Sequence, residues 1–387
     1  MRIQTGPEPR LLSPTRGTGL HRVLATKCDE NSVLKRILKW CIANTGWKPV
    51  PQRGFKLLRR KLALAGSLLS LLLMTGCASS SGPSEGPRAL STSSVDSWDY
   101  KGDPGWKLGT SHYSIFTTIK DNDVRSMLPQ VMEGAYSLYL QLVPGVPLST
   151  RPMDCFIFNE RMEFNEYTKG ATGKDSAIYL QIRRGGYALG DRYVSYYIGV
   201  NNTASVAAHE GWHQFVARNF KGRLPPFLEE GLATTFEGVE FKENLPRWNV
   251  GINPLRADGL RRSIDAKNLW PTELLIRTHA GEVVNRTGEK IDAYYSQCWA
   301  FAKFLREAEG GKYAPALRLW LAETAAGTVY DPSHTHNRAG LPWNPGAVKP
   351  MLEHYLGMSL PEIDKAYQAY MNKVAFEEYP KQWNLSQ

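Results

Sequence analysis

The segment His209-Glu210-Gly211-Trp212-His213 sets two imidazoles four residues apart with a carboxylate beside the first. On a helix this spacing puts both rings on one face with Cβ atoms about 5–6 Å apart, close enough for their nitrogens to converge on one divalent ion. Glu210, turned about 100° from His209, falls beside such an ion and can poise a water. The chemistry implied is metal-assisted hydrolysis, against the plainer reading of a surface helix with two solvated histidines. A third ligand separates the two. Pro225-Pro226 restarts the chain after a short turn, and Phe227 to Glu237 (FLEEGLATTFE) reads as a second helix with Pro226 in its first turn. Leu228, Leu232, Phe236 and Val239 form its core stripe. Glu229 borders that stripe and Glu230 points away from it, so Glu230 is the expected third metal ligand. Glu237 shares its face two turns on. It is read as solvated, with a hydrogen bond to a ligand histidine as the less favoured reading.

Elements must hold these residues in place. The first helix is expected over Ala204 to Phe220, with Asn201, Asn202 and Thr203 as N-cap candidates and Gly222 as a C-terminal cap. Ala208, Trp212 and Phe215 form its opposite, buried stripe. Gly211 costs a helix interior about 1 kcal/mol relative to Ala, which points to a close neighbour there. Upstream, Ser111 to Thr118, Met153 to Phe158, Ala177 to Ile182 and Tyr193 to Val200 read as strands, with a helix over Asn122 to Leu142 and a Gly-rich connection at Gly185 to Gly190. Downstream, Ala293 to Glu309, Ala314 to Ala325 and Pro361 to Phe376 read as helices. The class is therefore α+β, a small mixed sheet followed by a mainly helical subdomain, with the site between them.

HEGWH followed after 16 residues by Glu230-Gly231-Leu232-Ala233 resembles the gluzincin metallopeptidases, the clan of thermolysin and aminopeptidase N. LPPFLEEGLA is similar to the corresponding segment of peptidase-MA-like domains in bacterial lipoproteins. The resemblance covers about 30 residues. It implies a zincin-like fold, one Zn2+ held by His209, His213 and Glu230 rather than Glu229, and Glu210 as general base acting on a peptide or protein substrate. Aminopeptidase relatives carry an oxyanion-binding Tyr some 60–65 residues past the ligand Glu. That position implies Tyr295, 65 past Glu230, with Tyr294 as runner-up and a packing role open for either. The amine-gripping G-x-M-E-N segment of those aminopeptidases is missing from Tyr196 to Thr203, so endopeptidase action is the expectation. By analogy the substrate lies along a sheet edge formed by Tyr193 to Val200. The competing class is a tethered binding or structural lipoprotein that keeps the fold without turnover.

Among the 387 residues, 47 Lys and Arg against 37 Asp and Glu give a net charge of +10, yet residues 1–76 alone carry +11 and the remainder −1. A basic nucleic-acid-binding body is thereby excluded. FKLLRRK at Phe55 to Lys61, the apolar run Leu62 to Met74 and Met74-Thr75-Gly76-Cys77 read as a secretion signal whose apolar run, about 20 Å long as a helix, is too short to span a bilayer. The junction resembles a lipoprotein box. It implies a lipid on Cys77 and an extracytoplasmic, membrane-anchored protein. Residues 1–54 read as an extension ahead of the true start, 55–76 as the signal, 77–105 as a Ser- and Gly-rich tether, 106–376 as the peptidase-like body and 377–387 as a tail. Cys155 and Cys298 read equally as a disulfide or as two buried thiols. His112, His279, His334, His336 and His354 have no supporting pattern and read as solvated or packed.

Overall fold

The computed structural model describes residues 92–182, 185–242, 245–284, 286–332 and 343–379. Its fold is α+β. Six strands form one mixed sheet: β1 Ser94–Tyr100, β2 Asp103–Gly109, β3 Tyr113–Thr117, β4 Met153–Phe158, β5 Gly186–Leu189 and β6 Arg192–Tyr196. Their spatial order is β1-β2-β3-β4-β6-β5, with β3, β4 and β6 parallel to one another and the outer pairings antiparallel. Alternation along β4 sends Cys155 and Ile157 to one face and Phe156 and Phe158 to the other. The first face carries the main core, packed under helices α1 (Asn122–Leu142) and α3 (Val200–Asn219); the second packs under α2 (Arg161–Thr172) around Phe158, Phe164, Val194 and Tyr196.

Three expectations change at the sheet. Residues 94–105 are not tether: β1 and β2 form a hairpin whose two turn residues, Lys101 and Gly102, both have positive φ (55° and 89°), the geometry that suits a two-residue turn. Exposed Ser94 and Ser97 hide the strand, while Trp98 and Tyr100, two apart, face the aromatic cluster of Phe116, Phe156 and Phe158. The expected strand at Ala177 to Ile182 is instead a single helical turn, Ser176–Tyr179. The strand lies in the glycine-rich stretch, as β5, hairpinned to β6. A Cβ at Gly186 would sit 2.6 Å from the Val194 carbonyl oxygen, so glycine here permits close pairing rather than marking a loop. Finally, Tyr193 to Val200 is not the edge; β6 ends at Tyr196 and β5 covers it.

Beyond β6 the chain is mainly helical: α3, α4 (Pro226–Thr235), α5 (Pro254–Asp265), α6 (Thr272–Arg277), α7 (Gly288–Gly311), α8 (Ala314–Ala326), α9 (Val348–Leu356) and α10 (Leu360–Lys373). One unforeseen hairpin, β7 Val239–Lys242 with β8 Leu245–Trp248, follows α4. Gly199, at φ 91°, turns the chain into α3, so the helix begins before Asn201, Asn202 and Thr203 and none of them is its N-cap. A π-turn at Val374–Glu378 follows α10. There Arg261 donates to the Ala375 carbonyl at 3.1 Å and Tyr379 is buried, so residues 377–379 belong to the body rather than to a tail. Cys155 and Cys298 are separate buried thiols. Among the described residues no helix is long and apolar enough to cross a membrane. The signal segment and Cys77 lie outside those residues.

Candidate metal centre

Two helix contacts fix the site. Where α1 crosses α3, a Cβ at Gly211 would lie 2.7 Å from the Tyr139 hydroxyl, which donates to the Ala208 carbonyl at 2.5 Å. Gly211 is thus the price of a close crossing inside the histidine motif. Where α4 meets α7, a Cβ at Gly231 would collide with the carbonyl oxygen of Cys298. That contact brings Tyr295, one turn earlier on α7, to the metal-binding face of α3.

His209, His213 and Glu230 converge. The two Nε2 atoms are 3.3 Å apart, and Glu230 Oε2 lies 3.4 Å from His209 Nε2 and 3.5 Å from His213 Nε2. Ligands bound to a tetrahedral ion at about 2.0–2.1 Å are separated by about 3.3–3.4 Å, so these three atoms fit one face of a coordination tetrahedron. A second observation agrees. Glu230 Oε2 is buried and makes no hydrogen bond, a costly arrangement for a carboxylate unless a cation completes it. Burial opposes ionisation of Glu230, yet the field of His213, followed by contacts with His209, holds its carboxyl well below the usual range. These three side chains can hold a metal ion.

Each ring is oriented from behind by another carboxylate. His209 Nδ1 is 2.9 Å from Glu237 Oε1, and His213 Nδ1 is 2.9 Å from Glu229 Oε1. Acceptors at Nδ1 leave Nε2 as the coordinating nitrogen of both histidines. Glu237 is therefore not solvated. It is largely buried and also accepts from Asn253 Nδ2 at 2.7 Å and from Arg256 Nε and Nη2 at 3.0 and 2.8 Å. Burial raises its pKa, but the Arg256 charge and the His209 contact bring it down to about 2. Burial likewise disfavours charge on His209, and the neighbouring carboxylates of Glu230 and Glu237 outweigh it, pushing the imidazole up to about 9. The negative field that draws a proton there would serve a dication equally well. Sequence reading missed Asn253 and Arg256. Asn253-Pro254 signals a helix start, but nothing local says that this start faces Glu237.

Glu210 is half-buried beside the two histidines. Burial raises its carboxyl above the ordinary value and outweighs the opposing field of the imidazoles, which suits a proton acceptor working near neutral pH. The backbone of Ala188, on edge strand β5, lies next to it. Tyr295 sits across the site, its ring 6.5 Å from that of His209. Burial, then the charges of Glu230 and Glu210, keep its phenol protonated far above neutral pH. Tyr294 is fully buried and donates to the Thr278 carbonyl at 3.1 Å, so its hydroxyl is engaged in the core.

The other histidines are used elsewhere. His112 pairs with Glu133, His279 Nδ1 accepts the Gly281 amide at 3.0 Å and His354 stacks on Tyr330; His334 and His336 lie outside the described residues. Comparison of the chain with protein-family models, curated proteins and solved structures finds no match. What the site does must be read from its own chemistry.

Proposed function

We propose that this protein is a zinc metallopeptidase of gluzincin type, with a zincin-like arrangement of sheet and helices and an endopeptidase action on peptides or proteins. The observation that carries the reading is the 3.3–3.5 Å triangle of His209 Nε2, His213 Nε2 and Glu230 Oε2, with Glu210 beside it and Glu230 Oε2 otherwise unsatisfied. Two nitrogens and one carboxylate oxygen are the protein donor set of catalytic zinc, which keeps its fourth position for water.

When bound, zinc supplies a Lewis acid that acidifies water and polarises a carbonyl. Glu210 accepts the water proton and returns it to the leaving amine; its raised pKa brings the two transfers closer to balance at neutral pH. Tyr295, protonated and facing His209, donates to the oxygen on which charge develops. Glu229 and Glu237 engage Nδ1 of the two rings and so orient the Nε2 atoms that a metal would take up in place of a proton. β5, the edge strand whose Ala188 backbone meets Glu210, offers a border to which a peptide would add as a further strand. A lipid on Cys77 would hold the body at the outer side of a bacterial membrane.

The test is zinc content beside peptide-library cleavage, measured on the wild-type chain and on Glu210→Gln. We expect one zinc per chain in both and cleavage by the wild type alone. Zinc without cleavage of any library member would leave a binding protein. No zinc in either chain would remove the proposal.

A further inference from the structure

With the metal ligands and the base assigned, one cation at this centre has no role in the reaction described. Arg256 enters from α5, a helix outside the metal motif. Its side chain is 17% exposed. Its guanidinium grips both oxygens of Glu237, Nε to Oε2 at 3.0 Å and Nη2 to Oε1 at 2.8 Å. That same Oε1 is the atom 2.9 Å from His209 Nδ1. Asn253, the N-cap of α5, accepts the Arg256 amide at 3.2 Å and donates to Glu237 Oε2 at 2.7 Å, so the start of one helix clamps the carboxylate from two sides. On its other side the Arg256 guanidinium lies 5.2 Å from the centre of the Tyr295 ring, within the range of cation–π attraction.

A bidentate fork fixes the plane of a carboxylate as a point charge does not. Fixing Glu237 fixes the ring of His209, because the carboxylate holds Nδ1. Attraction for the Tyr295 ring fixes the other wall of the site. We infer that Arg256 is a positioning residue that serves both, so that metal affinity and oxyanion donation depend on one side chain that touches neither metal nor substrate. This rests on the metallopeptidase reading above.

The full chain tests it, with zinc affinity measured by competition against a chromophoric chelator. Arg256→Ala should weaken zinc binding about 10- to 100-fold, the range expected when a group supporting a ligand is lost. Glu237→Gln should do the same, and the double variant should lose no more than the weaker single variant, because both act through one contact. Arg256→Lys keeps the buried charge without the fork; it should fold, and bind zinc several-fold more weakly than wild type. At saturating zinc, Arg256→Ala should lower kcat for a cleaved peptide with little change in KM, and should cost little more in a Tyr295→Phe background. Wild-type zinc affinity in either Arg256 variant, or losses that add fully across the pairs, overturns the inference. Absence of zinc from both wild type and Glu210→Gln sinks the metallopeptidase reading and this inference with it. Zinc in both, beside undiminished affinity in the Arg256 variants, sinks the inference alone.

Discussion

Histidine is paired with glutamate in two parts of this molecule, with different results. At the start of β3, His112 Nδ1 is 2.7 Å from Glu133 Oε2, its backbone N–H donates to Oε1 at 2.9 Å, and its ring stacks on Tyr136. Both carboxylate oxygens have a partner, and nothing further is called for. On α3 the rings are also tied at Nδ1, but a second imidazole stands 3.3 Å away and Glu230 brings an oxygen with nothing to accept. A carboxylate behind a histidine only orients it. What suits α3 to hold a metal ion is the second ring and the acceptor left over.

Substitutions at the two pairs should separate them sharply. His213→Ala should abolish stoichiometric zinc binding in equilibrium dialysis, whereas His112→Ala should leave it intact; zinc loss from both would show that the pairs are not distinct. Smaller is the effect of Tyr295→Phe, which should lower kcat about a hundredfold without changing zinc content. A rate within twofold of wild type would reduce Tyr295 to a packing residue. Smallest is a pH effect confined to the closed pair. Burial pushes the Glu133 carboxyl up, but hydrogen bonds from His112 dominate and hold it below its ordinary 4.5. A carboxyl with a depressed folded pKa stabilises the fold above its unfolded pKa and loses that contribution as pH falls through the folded value. Glu133→Gln should therefore flatten the acid side of the stability curve measured by urea unfolding. The change should be under about 1 kcal/mol, because His112 is more than a third exposed and screened. An unaltered acid limb would remove the ion-pair account.

What could be read from residue types differs between the same two regions. HEGWH and Glu230 were legible because helical period and a short turn, both local, decide which side chains share a face. Their support was not. Glu229 and Glu230 are adjacent, and the wheel that sends one toward the two imidazoles gives no distance from the other to His213 Nδ1. Glu237 looked solvated because its partners, Asn253 and Arg256, lie 16 and 19 residues further on across an unforeseen hairpin. In the sheet, β4 was legible from its aromatic and β-branched residues. β1 and β5 were not, since serine and glycine describe an exposed edge as readily as a loop. The body of the sheet followed composition; its borders followed tertiary pairing.

Those borders also set a direction. β1 and β5 close opposite sides of the sheet, five strand spacings or roughly 24 Å apart. The first described strand therefore lies on the side of the sheet remote from Ala188 and Glu210.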